Sequence, residues 1–436
     1  MITFCPPIDI LPVMSVAGSG NKFMRYFLIA LFILLSACSK EDVSKPISSF
    51  GESKVWRVSI SLPDIDLPVS LYIAHDSSEA WFANGAERVQ VPEIKHEGKT
   101  WTLRFPTFNN TMVLEETETG LKGSLTLIKR GYEQIMPLEA EPDAGFRFTK
   151  DAQALVDFTG RWEVGFTDDE GKESIGVGEF DQQGATVSGT FLTPLGDYRY
   201  LAGEVDGNVM RLSTFDGAHA FVFTATMLTD GTLVGDFWSG TSWHEAWVAS
   251  RNFEARLPDA YALTYLKEGF DRLEFSFPDL DGLPVTLDDE QFRNKVVLVN
   301  LSGTWCPNCA DEMEFLSKVY KEHREQGLEI VTLLFEHFED FTLAAQQGKA
   351  LVAKHDIDFN VLVAGSSDKD AASKTLPMLN HVLAFPTLIF VDRTGKVRKI
   401  HTGFSGPGTG QHYDDFKIAF SQNLEGLLDE EVPEGP

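Results

Sequence analysis

The segment Val296–Met313, VVLVNLSGTWCPNCADEM, permits few folds. It opens on an apolar run, Val296 to Leu301, of the kind expected for a strand buried on both faces. Pro307 suits the first turn of a helix, where a missing N–H costs nothing. Met313, Leu316, Val319 and Tyr320 then recur at helical spacing and Gly327 supplies a stop, so a helix is expected from Pro307 to about Gln326. Cys306 and Cys309 therefore sit where a buried strand hands over to a helix. Their spacing suits a redox pair, half of a metal site or a structural staple.

The pattern around this segment is one of alternating strands and helices. Leu328–Phe335 reads as a second buried strand, roughly 339–354 as a helix and 359–363 as a short strand. Phe385–Val391 opens a strand with a proline, Lys396–His401 after Thr394-Gly395 is its hairpin partner, and Tyr413–Leu428 is a last helix. Parallel strands with crossover helices and a closing antiparallel hairpin make an α/β sandwich.

The chain has 436 residues, too many for one ordinary domain. From about Val55 to Arg251 the hydrophobic period is two. Trp56, Val58 and Ile60 alternate with polar residues, as do Trp101, Leu103 and Phe105, and Trp162, Val164 and Phe166. Asn84-Gly85, Asp206-Gly207 and Asp230-Gly231 read as hairpin turns. A sandwich or barrel is expected, as two β units meeting near residues 148–160. His219, beside the turn at Asp216-Gly217, is expected as a hydrogen-bonded structural residue. Tyr198, Tyr200, Phe221 and Phe223 are expected in the core before any groove.

Four cysteines, at 5, 38, 306 and 309, are no disulfide framework for this length. Tyr26–Leu35 is an apolar run of the length of a signal-peptide core rather than a membrane span, preceded by Lys22 and Arg25. Leu35-Ser36-Ala37-Cys38 resembles a bacterial lipobox, which implies a lipidated Cys38 as the mature N-terminus. Met24 fits as the start of that leader. The expected organisation is a leader over 1–38, a linker over 39–54 and β-rich segments over 55–150 and 151–255, the latter a second domain or the other half of one. A linker over 256–274 then leads to an α/β domain over 275–432. A formal net charge of −28 argues against nucleic acid, which needs clustered Lys and Arg.

VVLVNLSGTWCPNC, the acidic helix start ADEM and AFPTLIFVDRTGKV resemble, in that order and spacing, the thioredoxin superfamily and its tethered TlpA/ResA-type thiol-disulfide reductases. The resemblance covers about Phe275 to Leu428. GDYRYL and FDGAHA in the β-rich part are similar to regions attached to such reductases in some bacterial lipoproteins. A multidomain chain is thus expected, with a β-rich N-terminal region and a thioredoxin-like domain after it.

At a helix start the free N–H groups stabilise an anion, so Cys306 is expected as the exposed, attacking thiolate and Cys309 as the resolving thiol. The resemblance implies a cis-proline at Pro386, with Phe385 and Trp305 beside the substrate. It also implies a shielded carboxylate at Glu312 that assists proton transfer; a first-turn carboxylate complementing the helix dipole explains Glu312 equally well. No cofactor beyond the cysteine pair is implied. The implied partners are a membrane thiol relay as electron source and disulfide-bearing proteins such as apocytochrome c. The implied place is the cell envelope, facing the periplasm, with the outer membrane favoured by Ser39. The Pro-Asn dipeptide between the cysteines departs from the family pattern, as does Phe385.

Zinc would need a second ligand pair, and no further cysteine lies in the domain. A peroxiredoxin-like peroxidase is the enzymatic rival, but Gly303 stands where its hydroxyl residue would be and Val299 where its proline would be. The non-enzymatic rival is a lipoprotein whose β region binds a partner.

Overall fold

The structure, a computed structural model, describes residues 53–143 and 145–432. The leader, Cys5, Cys38 and nearly all of the 39–54 stretch lie outside the described residues.

The two-residue period becomes antiparallel sheet throughout the first half. Nine strands between Ser53 and Pro142 form one open sheet. Its first and ninth strands pair in the middle, Val58 against Ala140. Trp56, Val58, Ile60, Trp101, Leu103 and Phe105 all point into one core. That core also holds Phe215, Ala220 and Val222 of the next unit, so the sheet buries its apolar face on its neighbour.

That neighbour is a closed barrel. Eight strands between Gly160 and Arg251 follow one another around it, and the first (Gly160–Asp168) meets the last (Trp243–Arg251). A two-residue strand at Gly196–Asp197 adds a spur. Closure leaves no free edge. Phe166, Phe191, Phe223, Phe237 and Trp247 fill the interior, with Tyr198 and Phe221 edge-on among them. The expected choice between sandwich and barrel thus falls to an open sheet followed by a barrel, and the expected hairpin turns at 84–85, 206–207 and 230–231 are all present.

Residues 252–275 run along the C-terminal domain rather than free of it: the Thr402 N–H donates to Ala260 O and the Lys267 N–H to Met378 O. The domain's sheet places Val296–Ser302 at its centre. It runs parallel to Leu328–Glu336, which is parallel to Asn360–Ser366, and antiparallel to Thr387–Val391, whose hairpin partner is Val397–Thr402. All seven residues of Val296–Ser302 are buried, as a strand covered on both faces requires.

Four helices flank the sheet: α1 (Pro307–His323), α2 (Phe341–His355), α3 (Lys369–Thr375) and α4 (Gln411–Leu428). Helix α1 starts at Pro307 as expected, and a 3-10 turn continues it to Gln326 before Gly327 at φ 95° ends the run. Among the described residues no helix is long and apolar enough to cross a membrane.

Candidate active site

Cys306 is the N-cap of α1, and its Sγ accepts a hydrogen bond from the Cys309 N–H at 3.2 Å. The strand Val296–Ser302 delivers it there, and Pro307 fixes the first helical turn. Cys306 and Cys309 are joined as a disulfide with Cα atoms 5.2 Å apart. Such a site suits a thiolate, since helix-start N–H groups offer the sulfur a donor and a partial positive charge. The expected exposure needs correcting: Cys306 is 6% exposed and Cys309 1%. Cys306 is the more open of the two, but it packs in a cluster with Trp305 and Phe385.

Pro386 is cis to Phe385, at the expected position. Phe385 O lies 3.6 Å from Cys306 Sγ, and Pro386 O accepts from the Gly403 N–H. Both residues are buried. Trp305 is half-buried: its Nε1–H donates to Phe335 O, its ring stacks on His337 with centroids 4.7 Å apart, and Phe385 meets it edge-on. Trp305 and Phe385 thus pack in one cluster with the disulfide, and His337 backs Trp305.

Glu312 is completely buried, and neither carboxylate oxygen has a hydrogen-bond partner among the described residues. Burial pushes its carboxyl up to about 8. A helix-dipole role requires a charged carboxylate, and this one is held neutral at pH 7. Glu312 also lies beyond the first turn of α1, which holds no acidic residue, so the first-turn reading does not describe it.

Three features were not visible in the sequence. Glu336, at the end of its strand and 1% exposed, accepts the Thr304 N–H at 2.8 Å and the Thr304 hydroxyl at 2.7 Å. Burial outweighs those bonds and raises Glu336 to about 7. The Thr304 hydroxyl is therefore committed to Glu336. His337 is kept neutral, lowered to about 4 by burial and then by Lys129 and Arg130 of the first sheet.

The third feature is the barrel itself, which docks on the helix start. The Asn308 amide donates to Asp197 O, and the Arg199 guanidinium reaches Pro307 O and Asp311. The resemblance at GDYRYL and FDGAHA is the one sequence signal that points there. His219 of the latter segment bonds Asp216 and stacks on Phe221, the structural role expected of it.

Residues 267–415 match the family model described as Redoxin. Thiol-disulfide oxidoreductase ResA of Bacillus thuringiensis subsp. konkukian (strain 97-27) is 29% identical over 123 residues, 28% of this chain and 62% of that protein. The C-terminal domain is a ResA-like domain of the thioredoxin superfamily. Thioredoxin-like protein YneN of Bacillus subtilis (strain 168) is 29% identical over 138 residues, 32% of this chain and 73% of that protein. A thiol:disulfide interchange protein of the thioredoxin family from Chlorobium tepidum TLS has 20% identity, covering 37% of this chain and 98% of its own, with a TM-score of 0.29. This chain thus spans 62% of the length of the ResA relative.

Proposed function

We propose that the protein is a thiol-disulfide oxidoreductase, working as a disulfide reductase on proteins outside the cytoplasm. The observation that carries this reading is Cys306 at the N-cap of α1, with its sulfur on the Cys309 N–H and in a disulfide with Cys309.

In the reduced enzyme the Cys306 thiolate attacks one sulfur of a substrate disulfide. A mixed disulfide forms and the other substrate sulfur leaves as a thiolate, which takes up a proton. Cys309, deprotonated, then attacks Cys306 Sγ. The second substrate thiolate leaves, and the Cys306–Cys309 disulfide holds the oxidation the substrate has lost. Two electrons from a donor dithiol restore the pair, which is the part taken by a membrane thiol relay. Glu312, buried three residues along α1 from Cys309, is the group suited to exchange a proton with it: as the carboxylate it takes the Cys309 proton when the resolving attack begins, and it is left as the neutral acid that burial favours. Trp305, Phe385 and Pro386 are the residues a substrate peptide would meet. Cys38, as a lipid anchor, would keep the protein at the envelope, on the periplasmic side. Apocytochrome c is a substrate of the kind the ResA likeness suggests.

The test is the reduction potential of the pair in the full chain, equilibrated against glutathione or dithiothreitol. A value at or below about −220 mV is expected for a reductase. A value near about −120 mV marks an oxidant and sinks the reductase reading. A pair that forms no disulfide in any buffer sinks the oxidoreductase reading itself.

A further inference from the structure

The barrel loop between the strands Thr186–Thr193 and Leu201–Asp206 lies on the start of α1. Both residues between the cysteines touch it. The Asn308 amide donates to Asp197 O at 3.0 Å, and Pro307 O accepts from Arg199 Nη1 at 3.3 Å. The unusual Pro-Asn dipeptide is therefore half of an interface. Asp197 also accepts the Gly406 N–H at 2.7 Å, so the loop grips the domain on two sides.

Arg199 is the centre of this contact. Its side chain is 13% exposed, and it sits at φ 57°, a backbone that a non-glycine residue adopts only where surroundings enforce it. The guanidinium pairs with three carboxylates from three parts of the chain. Glu87 of the first sheet lies at 2.6 Å, Asp216 of the barrel at 3.5 Å, and Asp311 of α1 shares the Nη1 that reaches Pro307 O. Asp197, Lys354, Glu314, Tyr200 and Tyr413 lie around them. The cluster holds more carboxylates than cations. Burial and the neighbouring acids raise Asp311 to about 7 in spite of Arg199.

We propose that Arg199 is a positioning residue for the dithiol: by balancing the carboxylates at the start of α1 it stabilises the Cys306 thiolate, so that the β-barrel sets the reduction potential of a site on another domain. This deepens the oxidoreductase reading and rests on it. A negative charge on the first turns of α1 opposes a thiolate at its N-cap. A cation there favours the thiolate, and the low-dielectric setting leaves that effect little screened. The disulfide carries no charge, so whatever stabilises the thiolate stabilises the reduced form and raises the potential. Removing Arg199 drives the pair toward the disulfide, and removing the Asp311 charge drives it the other way.

The experiment measures, in the full chain, the equilibrium of the pair against glutathione and the pH dependence of Cys306 alkylation. Arg199→Gln should shift the equilibrium about tenfold toward the disulfide, ~30 mV lower, and move the Cys306 titration up by about one unit. Asp311→Asn should shift both in the opposite direction. The double variant should return to within about threefold of the wild type, and Arg199→Lys, which keeps the charge, should stay within that range. A residue that is merely a staple would lower stability and leave potential and titration unmoved, which overturns the proposal. Should Arg199→Gln not fold, Asp311→Asn still decides, and no shift there overturns it. A wild-type chain that forms no disulfide at all overturns the oxidoreductase reading as well.

Discussion

Cys306 and Glu312 differ in how much of their chemistry the sequence carries. Cys-x-x-Cys at a strand-to-helix junction already implies a favoured thiolate at Cys306, because the donors come from the local backbone. Glu312 is a different case, since spacing alone suits a solvent-facing acid as well as a buried one. The two acids of ADEM part company in the fold: Asp311 turns to Arg199, and Glu312 is buried with no partner among the described residues. In the proposed mechanism Cys309→Ser traps a mixed disulfide through Cys306, detectable by mass after exposure to a disulfide-bearing peptide. Trapping through Cys309 in Cys306→Ser reverses the assignment. Glu312 also has a consequence for stability. Between the ordinary carboxylate range and pH 8 the folded chain keeps a proton that the unfolded chain has released, so this group lowers stability as pH rises across that interval. Glu312→Gln removes that decline. Its advantage over the wild type in denaturant titrations should grow between pH 5 and 8 by on the order of 4 kcal/mol. Glu336 and Asp311 titrate in both proteins and cancel in the difference. A gap that does not change with pH would place the Glu312 carboxyl in solvent.

At the scale of elements, the long and strongly patterned ones were legible. Helix α1 announces itself by Pro307, by an apolar stripe and by Gly327, each a local cause. Helix α3 was missed because it has seven residues and buries only Ala372, too little for a periodicity. The loop that docks on the start of α1 was not legible as an interface, because its partner lies more than a hundred residues away. Gly403 shows what that docking demands. It adopts φ 78°, and a Cβ there would lie 3.1 Å from the backbone of both Pro194 and Leu195. Gly403→Ala should cost about 1–2 kcal/mol for the left-handed backbone and push the barrel loop away, so that Cys306 in the reduced protein is alkylated faster. Gly231 isolates the second effect. It sits at φ 85° with nothing within 4 Å of the point a Cβ would occupy, so Gly231→Ala carries the same backbone cost without a neighbour to displace. Equal alkylation rates in the two variants would mean that the loop does not shield the cysteine.

For the whole molecule, period-two patterning identified the β-rich half but could not say that one unit stays open and the other closes. That difference depends on which distant strands pair, Val58 with Ala140 and Val164 with Ala249, and local alternation is blind to it. The open sheet survives by resting on the barrel, and Arg147 fastens the two. Its guanidinium donates to Pro68 O, Ala83 O and Asn84 Oδ1 on the sheet and to Ser213 Oγ on the barrel, while Glu204 accepts the N–H groups of Arg147 and Phe148. Burial lowers Arg147 to about 10, so it stays charged at neutral pH. Asn84 in turn donates to Glu87, which pairs with Arg199, so one polar chain runs from the sheet–barrel seam to the start of α1. Arg147→Ala removes four buried charge-assisted hydrogen bonds. Pro68 O keeps the Ser213 hydroxyl and Asn84 Oδ1 keeps the Phe215 N–H, but the ties between sheet and barrel through the guanidinium are gone, and a loss of about 3–5 kcal/mol overall is expected. Because the sheet buries its apolar face on the barrel, that loss should fall on the sheet first. Amide hydrogen exchange of the strands between Ser53 and Pro142, followed through a denaturant series, should then report unfolding at lower denaturant than the far-ultraviolet signal of the whole chain. A single coincident transition in Arg147→Ala would mean that apolar contact alone holds the sheet to the barrel and that Arg147 is dispensable to their union.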